Sequence, residues 1–274
     1  MLKRINLTVK QGSKRADEVA QRVKTFLEDN NVEVSEGEIS PSDEAVVVVG
    51  GDGTLLHVAA KAFERQIPLL GINAGGLGFL TEVHTDEMNE ALEHLVKGSF
   101  ELDKRMVLCV EVLDKNGQLV QKYTALNEAV ITKGALSKII RIDTWVQDSF
   151  LTTYRGDGLI ISTATGSTGY NLSAGGPIIH PGLEVMVLTP ICPFALSARP
   201  LILSGSSKIR VEVQNIQEEV CLDIDGQIGM HLLKGYVIRV CREAGYLKLI
   251  KSPSRDYFTI LREKLGWTRA IPLP

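Results

Sequence analysis

The chain has 274 residues, 44 % of them apolar, enough to bury one large core or two of ordinary size. Its 30 Lys and Arg against 33 Asp and Glu leave a formal charge of -3 with no long basic run, which argues against nucleic-acid binding through backbone phosphates; small anionic ligands need only local donors and stay open. The apolar stretch 181–200 is interrupted by Glu184, Arg199 and four prolines, so no membrane span is expected.

The start, MLKRINLTVK, lacks an apolar core with a small-residue cleavage site and reads as a first strand over 5–10. Ser13 then caps a helix whose apolar positions Ala16, Val19, Ala20, Val23, Phe26 and Leu27 recur at three-and-four spacing. Residues 31–37 alternate, 44–49 (EAVVVV) form a strand buried on both faces, 55–63 are helical with a start near Thr54, and 67–73 are another strand. An acid-started, glycine-ended helix occupies 85–98. Strands joined by single helices need crossovers, and crossovers favour a parallel sheet, so residues 1–100 are expected to be an α/β domain.

From about residue 100 strand follows strand. Lys115, Asn116 and Gly117 form a hairpin turn within 106–134, and further strands are predicted over 138–146, 150–164, 208–214, 219–226 and 236–250. Residues 101–250 are therefore expected to be a mostly antiparallel β domain. A helix over 254–267, within a terminal segment 251–274, presents Tyr257, Ile260, Leu261 and Leu265 on one face and is expected to return to the first domain. Cys109, Cys192, Cys221 and Cys241 show no C-x-x-C and no metal-ligand spacing, so a reducing, cytoplasmic setting is expected; the five histidines form no H-E-x-x-H.

The chemistry concentrates in glycine-rich segments. In VVVVGGDGTLLH (46–57) a buried strand runs into Gly50, Gly51, Asp52 and Gly53 just before a helix, whose first amides attract anions. No G-x-x-x-x-G-K-[ST] is present, and Leu56 stands where a G-x-G-x-x-G would need its third glycine. A carboxylate at the tip of such a loop repels phosphates unless it holds a metal or takes a proton from an attacking hydroxyl; the plainer alternative is that Asp52 only forms a turn. A second loop, GINAGGLGFLTE (71–82), surrounds Asn73 with Gly71, Gly75, Gly76 and Gly78, either to line the same cleft or for tight packing. Asn127 and Glu128 interrupt an apolar strand, which is costly unless an edge position, a ligand or a network satisfies them.

Residues 154–181 hold the densest pattern. Arg155 and Asp157 flank Gly156 at a turn, and Thr165, Ser167, Thr168, Tyr170, Asn171 and Ser173 then lie among Gly166, Gly169, Gly175 and Gly176. Hydroxyls and amides without lysine suit the ribose and phosphate oxygens of a nucleotide. Downstream, Asp223 and Asp225 share a strand face before Gly226, again open to a turn-forming reading, and His57 lies one helical turn beyond Asp52.

GGDGT (50–54), NE (127–128), TGSTGYNLSAGGP (165–177) and DGQ (225–227) occur together and in this order, and with them the chain resembles the NAD kinase family, ATP-NAD kinases that make NADP. GGDGT alone is shared with lipid kinases and phosphofructokinases, but 46–60 has no Lys or Arg for a sugar phosphate, and a lipid kinase would be told apart by phosphorylating a lipid alcohol. A dinucleotide sensor that binds without turnover is the non-enzymatic alternative. The resemblance implies a Rossmann-like α/β N-terminal domain and a C-terminal β-sandwich, an NAD kinase/diacylglycerol kinase-like fold with its cleft between the two. It also implies Asp52 as proton acceptor for the ribose 2'-hydroxyl, with Gly51 and Gly53 in the phosphate loop beside Asn73. By the same likeness Asn127 and Glu128 hold the ribose or adenine region. Thr165, Thr168, Gly169, Tyr170, Leu172 and Ser173 line the nucleotide with Asn171, and Asp157 lies near the nicotinamide end. Lys138, Arg155, Gln227 and His57 are further binding candidates. Gly169 and Asn171 stand where other members often carry alanine and serine. ATP and NAD are the implied substrates and Mg²⁺ the implied divalent ion, with no ligand residues assigned to it; a homodimer or homotetramer is the implied assembly.

Overall fold

Six consecutive buried residues, Ala45–Gly50, require a strand covered on both faces, and they form the middle of a parallel sheet. A computed structural model of the chain describes residues 1–76, 78–134, 138–214 and 219–267. In chain order its elements begin with β1 (Arg4–Val9), α1 (Lys14–Asp29), β2 (Glu33–Glu36), β3 (Ala45–Gly50), α2 (Asp52–Arg65), β4 (Leu69–Asn73), β5 (Val83–His84), α3 (Met88–Lys97) and β6 (Leu102–Arg105). They continue with β7 (Leu108–Leu113), β8 (Leu119–Ala125), β9 (Glu128–Lys133), β10 (Ile140–Val146), β11 (Ser149–Gly156), β12 (Gly158–Thr163), a 3-10 turn (Thr165–Thr168) and the short α4 (Tyr170–Ser173). The last part holds β13 (Val185–Ile191), β14 (Leu201–Ser204), β15 (Ile209–Gln214), β16 (Val220–Ile224), β17 (Gln227–His231), β18 (Val237–Arg242), β19 (Leu247–Ile250) and α5 (Tyr257–Leu265). The chain divides into two compact units, Met1–Lys104 with Leu247–Pro274, and Arg105–Tyr246.

The sheet of the first unit runs β2-β1-β3-β4-β19-β6 with β5 on β4, and β1 to β4 pair in parallel. Ser13 caps α1 by accepting the Ala16 amide at 3.3 Å. The helix buries Ala16, Val19, Ala20, Val23 and Leu27, and Phe26 packs at the margin. Val47 and Val49 of β3 meet these residues, Leu70 and Ile72 of β4, and Leu92 and Leu95 of α3 in one cluster. Each buried side chain of this size contributes about 1.5–3 kcal/mol. α3 stops at Gly98, whose φ of +72° closes the helix in the left-handed region.

The second unit consists of two antiparallel sheets, β11-β10-β15-β18-β7-β8 and β14-β13-β12-β9-β16-β17. Leu108, Val110, Ile142, Val211 and Val240 of the first pack with Ile131, Leu159, Ile161, Leu188 and Leu222 of the second, which makes a sandwich. Period-two alternation turns Cys109 and Glu111 on β7, and Cys221 and Asp223 on β16, to the outer faces. The Asp114–Gln118 turn follows the expected hairpin: Asp114 Oδ1 accepts the Asn116 and Gln118 amides at 2.8 Å, and Gly117 has a φ of +78°.

Four expectations change. α2 begins at Asp52 rather than near Thr54, because Gly51 in extended conformation already serves as its N-cap. Asn127 and Glu128 are not in a strand interior: β8 ends at Ala125 and β9 starts at Glu128. The stretch 236–250 is two strands in two sheets, β18 in the sandwich and β19 beside β4. Strands β13 and β14 were unforeseen because four prolines obscure them; Pro190 is tolerated since β14 pairs only with Val185–Leu188, before Pro190 is reached. Leu77 of the second glycine loop and residues 268–274 of the terminal segment lie outside the described residues. No helix among the described residues is long and apolar enough to cross a membrane.

Candidate functional site

In the first unit the glycines divide by what requires them. A Cβ on Gly50 would come within 2.9 Å of Thr54 Cβ, and one on Gly71 within 2.8 Å of Thr81 Cα, so packing demands both. At Gly51, Gly53 and Gly76 a Cβ would meet nothing within 4 Å, and none of the three has a positive φ. Neither packing nor backbone conformation asks for glycine there, and the open space leaves room for a ligand to approach the backbone. No side chain caps α2, so its first-turn amides are suited to phosphate oxygens.

Asp52 occupies the first turn of α2 and reaches the loop that follows β4. Its Oδ2 accepts the Phe79 amide at 2.8 Å, and Oδ1 accepts the Leu80 and Thr81 amides at 3.0 Å and the Thr81 hydroxyl at 3.1 Å. Oδ1 is saturated, whereas Oδ2 with one donor keeps an acceptor position open. A side chain on Gly78 would run into Asp52 Oδ1, so that glycine protects the carboxylate. Asn73, 2 % exposed, donates to the Gly76 carbonyl and to Thr81 Oγ1 at 2.9 Å and accepts the Gly75 amide at 2.7 Å. Its amide thus braces the loop that holds Asp52.

In the second unit Asp225, in the turn between β16 and β17, organises the chain break at 126–128. Its Oδ2 accepts the Leu126 amide at 2.8 Å, and Oδ1 accepts the Asn127 and Glu128 amides at 2.7 and 2.9 Å. From the other side Thr163 donates its hydroxyl to the Leu126 carbonyl at 2.6 Å and its amide to the Asn127 carbonyl at 2.8 Å. With its backbone clamped, this segment still leaves Asn127 Oδ1 and Glu128 Oε2 buried without a partner, as is Thr165 Oγ1. A Cβ on Gly169 would lie 3.4 Å from Glu128 Oε2 and 3.5 Å from Asn127 Nδ2, so Gly169 stands beside both groups. Buried polar atoms are nearly always bonded, and such atoms suit a hydrogen-bonding ligand or ordered water. Among the described residues the other two such atoms, Arg65 Nε and Thr144 Oγ1, belong to α2 and β10.

Burial, with the Asp225 charge adding to it, pushes the Glu128 carboxyl up to about 8. Burial also raises Asp225, to about 6, while its three amide donors pull the other way. Asp225 is therefore the ionised member at neutral pH and Glu128 the protonated one. A carboxylic acid beside a primary amide offers donors and acceptors without net charge, which matches ribose hydroxyls or a base edge better than phosphate.

The remaining candidates are more dispersed. Asn171 is fully buried and spent on the fold: its Nδ2 donates to the Ser167 and Pro177 carbonyls at 3.2 Å, and Oδ1 accepts the Thr189 hydroxyl at 2.6 Å. Thr168 donates to the Thr165 carbonyl at 3.3 Å; Leu172 is half-buried, and Tyr170 and Ser173 are exposed. Arg155 stacks its guanidinium 4.9 Å from the Phe194 ring centroid, beside a cavity of about 370 Å³ that Tyr154 and Arg199 also line. Asp157 pairs with Lys133 at 3.7 Å. His57 on α2, Lys138 ahead of β10 and Gln227 at the start of β17 are exposed. Sequence reasoning missed Thr81, which has no motif, and weighed turn formation and function equally for Asp225 although DGQ contained it.

An α/β unit with a glycine-lined helix start and a carboxylate, joined in one chain to a β-sandwich with a cluster of buried, uncharged polar groups, fits a nucleotide phosphotransferase. The family profile of the ATP-NAD kinase N-terminal domain matches residues 38–100 and that of the ATP-NAD kinase C-terminal domain residues 126–252. The NAD kinase of Geotalea daltonii is 49 % identical over 230 residues, 84 % of this chain and 81 % of its own. That of Geobacter sulfurreducens is 50 % identical over 224 residues, 82 % and 78 % of the two chains. Among solved structures, yeast NADH kinase complexed with NADH superposes with a TM-score of 0.90 at 26 % identity, covering 100 % of this chain and 90 % of that one. An NAD kinase from Archaeoglobus fulgidus in complex with ATP gives 0.77 at 27 % identity, covering 96 % and 99 %. The chain belongs to the NAD kinase family.

Proposed function

We propose that this protein transfers the terminal phosphate of ATP to the 2'-hydroxyl of the adenosine ribose of NAD, giving NADP and ADP, with Asp52 as proton acceptor. Family membership across both units carries the reaction. The unfilled acceptor position on Asp52 Oδ2, in a carboxylate otherwise saturated by loop amides, supports the proton-acceptor role. As the 2'-oxygen forms its bond to the γ-phosphorus, its proton passes to Oδ2 and the bond to the ADP oxygen breaks. The amides around Gly51, Gly53, Gly75 and Gly76 are the proposed phosphate donors. Asn127, Glu128, Thr165 and Gly169 would hold the adenosine part, lined by Thr168, Tyr170, Leu172 and Ser173, with Asn73 and Asn171 bracing the two loops. Asp157 would lie toward the nicotinamide end, and His57, Lys138, Arg155 and Gln227 would add outer contacts.

Mg²⁺ bound with the triphosphate would supply charge neutralisation at the phosphate oxygens, with Asp52 left to the proton. The proposed working form is a cytoplasmic homodimer or homotetramer, which light scattering on the purified protein checks. Incubation with ATP, Mg²⁺ and NAD, read by an NADP-specific dehydrogenase, tests the reaction: NADP accumulates well above a boiled control, and its absence overturns the reading.

A further inference from the structure

We propose that Glu219, Cys221 and His231 form a binding site for a zinc-class divalent cation on the outer face of the second sandwich sheet. Nothing in the linear sequence suggests it, because Cys221 and His231 stand ten positions apart with no Cys or His between them. The antiparallel pairing of β16 and β17 sets these two residues directly opposite one another. Glu219, immediately ahead of β16, brings its carboxylate to the same His231 ring. Val220 and Leu222 turn into the sandwich core, which leaves this trio facing outward.

Two of the three separations are those of one coordination sphere. His231 Nδ1 lies 3.5 Å from Cys221 Sγ and 3.3 Å from Glu219 Oε1, and all three ligand atoms fall within 4.8 Å of one another. A tetrahedral ion with Zn–S near 2.3 Å and Zn–N and Zn–O near 2.0 Å holds its ligands roughly 3.3–3.6 Å apart. Sulfur, imidazole and carboxylate together select a borderline-soft cation over Mg²⁺ or Ca²⁺, and thiolate plus carboxylate balance its two charges.

The main chain positions Glu219 as well: its carbonyl accepts the Gly134 amide at 2.6 Å, and a side chain at 134 would come 2.8 Å from Glu219 Oε2. With 60 % and 68 % of the Glu219 and His231 side chains exposed, an ion has an entry path and a fourth position open to water. The ion would tie β16 to β17 at the open end of the hairpin whose turn carries Asp225.

The test uses the full chain, stripped with a chelator and titrated with Co²⁺. A near-ultraviolet sulfur-to-cobalt charge-transfer band should saturate at one equivalent and be displaced by Zn²⁺. It should be lost in Cys221→Ser, retained in Cys192→Ser, and weakened in His231→Ala and Glu219→Gln by at least the roughly 10–100-fold that outer-sphere partners alone command. Zn²⁺ should raise the melting temperature of the unsubstituted protein and not that of His231→Ala, both melting alike in chelator. Absence of the band, or a band that survives in both Cys221→Ser and His231→Ala, overturns the proposal.

Discussion

Four donors converge on the Asp52 carboxylate, so this side chain ties the start of α2 to the loop after β4 in addition to its proposed role toward substrate. Asp52→Asn tests both roles. Its remaining oxygen can serve the three donors now on Oδ1, but its NH₂ then faces the Phe79 amide, a mismatch worth about 1–3 kcal/mol. Turnover should fall by about two or more orders of magnitude on the scale of losing an acid–base group, with a lowered melting temperature and NAD affinity largely retained. Steady-state kinetics, a thermal melt and an NAD titration separate these effects. Gly53→Ala should behave in the opposite sense. A Cβ there meets nothing and the position is helical, so alanine should stabilise the fold by up to ~1 kcal/mol while raising KM for ATP severalfold. An unchanged KM would mean that no phosphate approaches Gly53.

At the scale of elements, the β16–β17 hairpin acts as a clamp on residues 126–128. Asp225 adopts a φ of +53° to reach their amides, a conformation Asp and Asn accept more readily than most residues. Asp225→Asn opposes an NH₂ to the Leu126 amide, costing about 1–3 kcal/mol. It also removes a charge whose burial raises Asp225 to about 6, a relief of similar size. Stability at pH 7 should therefore change by less than ~1 kcal/mol. Asp225→Ala leaves three amides unpaired and should cost ~3 kcal/mol or more. Urea denaturation of the two variants checks the contrast, and KM for NAD should rise in both because the Asn127–Glu128 segment loses its register. These contacts also explain why ALNEAV misled: apolar composition reads as continuous strand, while a carboxylate almost a hundred positions away supplies the hydrogen bonds that break it.

For the molecule as a whole, the raised acids of the second unit predict the pH profile of stability. Glu128 titrates near 8 in the native state against 4.5 when free, and Asp225 near 6 against 3.8. Between these limits the native state holds protons that the unfolded chain has released, so the contribution of these two groups to stability falls as pH rises from about 4 to about 8 and levels above, while the lowered carboxyls of Glu87, Asp114, Glu243 and Asp256 work in the opposite sense at acid pH. Glu128 alone accounts for ~2 kcal/mol between pH 6 and 8. Glu128→Gln should flatten the profile of the ligand-free protein over that interval; an equally steep profile would show that Glu128 is ionised in the native state. Measuring the melting temperature across pH 5–9 for both proteins decides it.

Local pattern alone established the helix capped by Ser13, the buried valine strand, the acid-started helix closed by Gly98 and the hairpin at Asn116–Gly117, because caps, periodicity and turn chemistry act over a few residues. The motif order likewise carried the family. Tertiary structure alone decided what joins residues distant in sequence: β19 inserted beside β4, Asn73 and Thr81 holding the loop that meets Asp52, Asp225 clamping Leu126–Glu128, and Cys221 set opposite His231. The physical reason is that composition and periodicity report which face of an element is buried, not which distant group satisfies its exposed or buried polar atoms. Asp52 shows the difference: its glycine setting marked it as special in sequence, but only the fold revealed that one oxygen is saturated and the other keeps room for a proton.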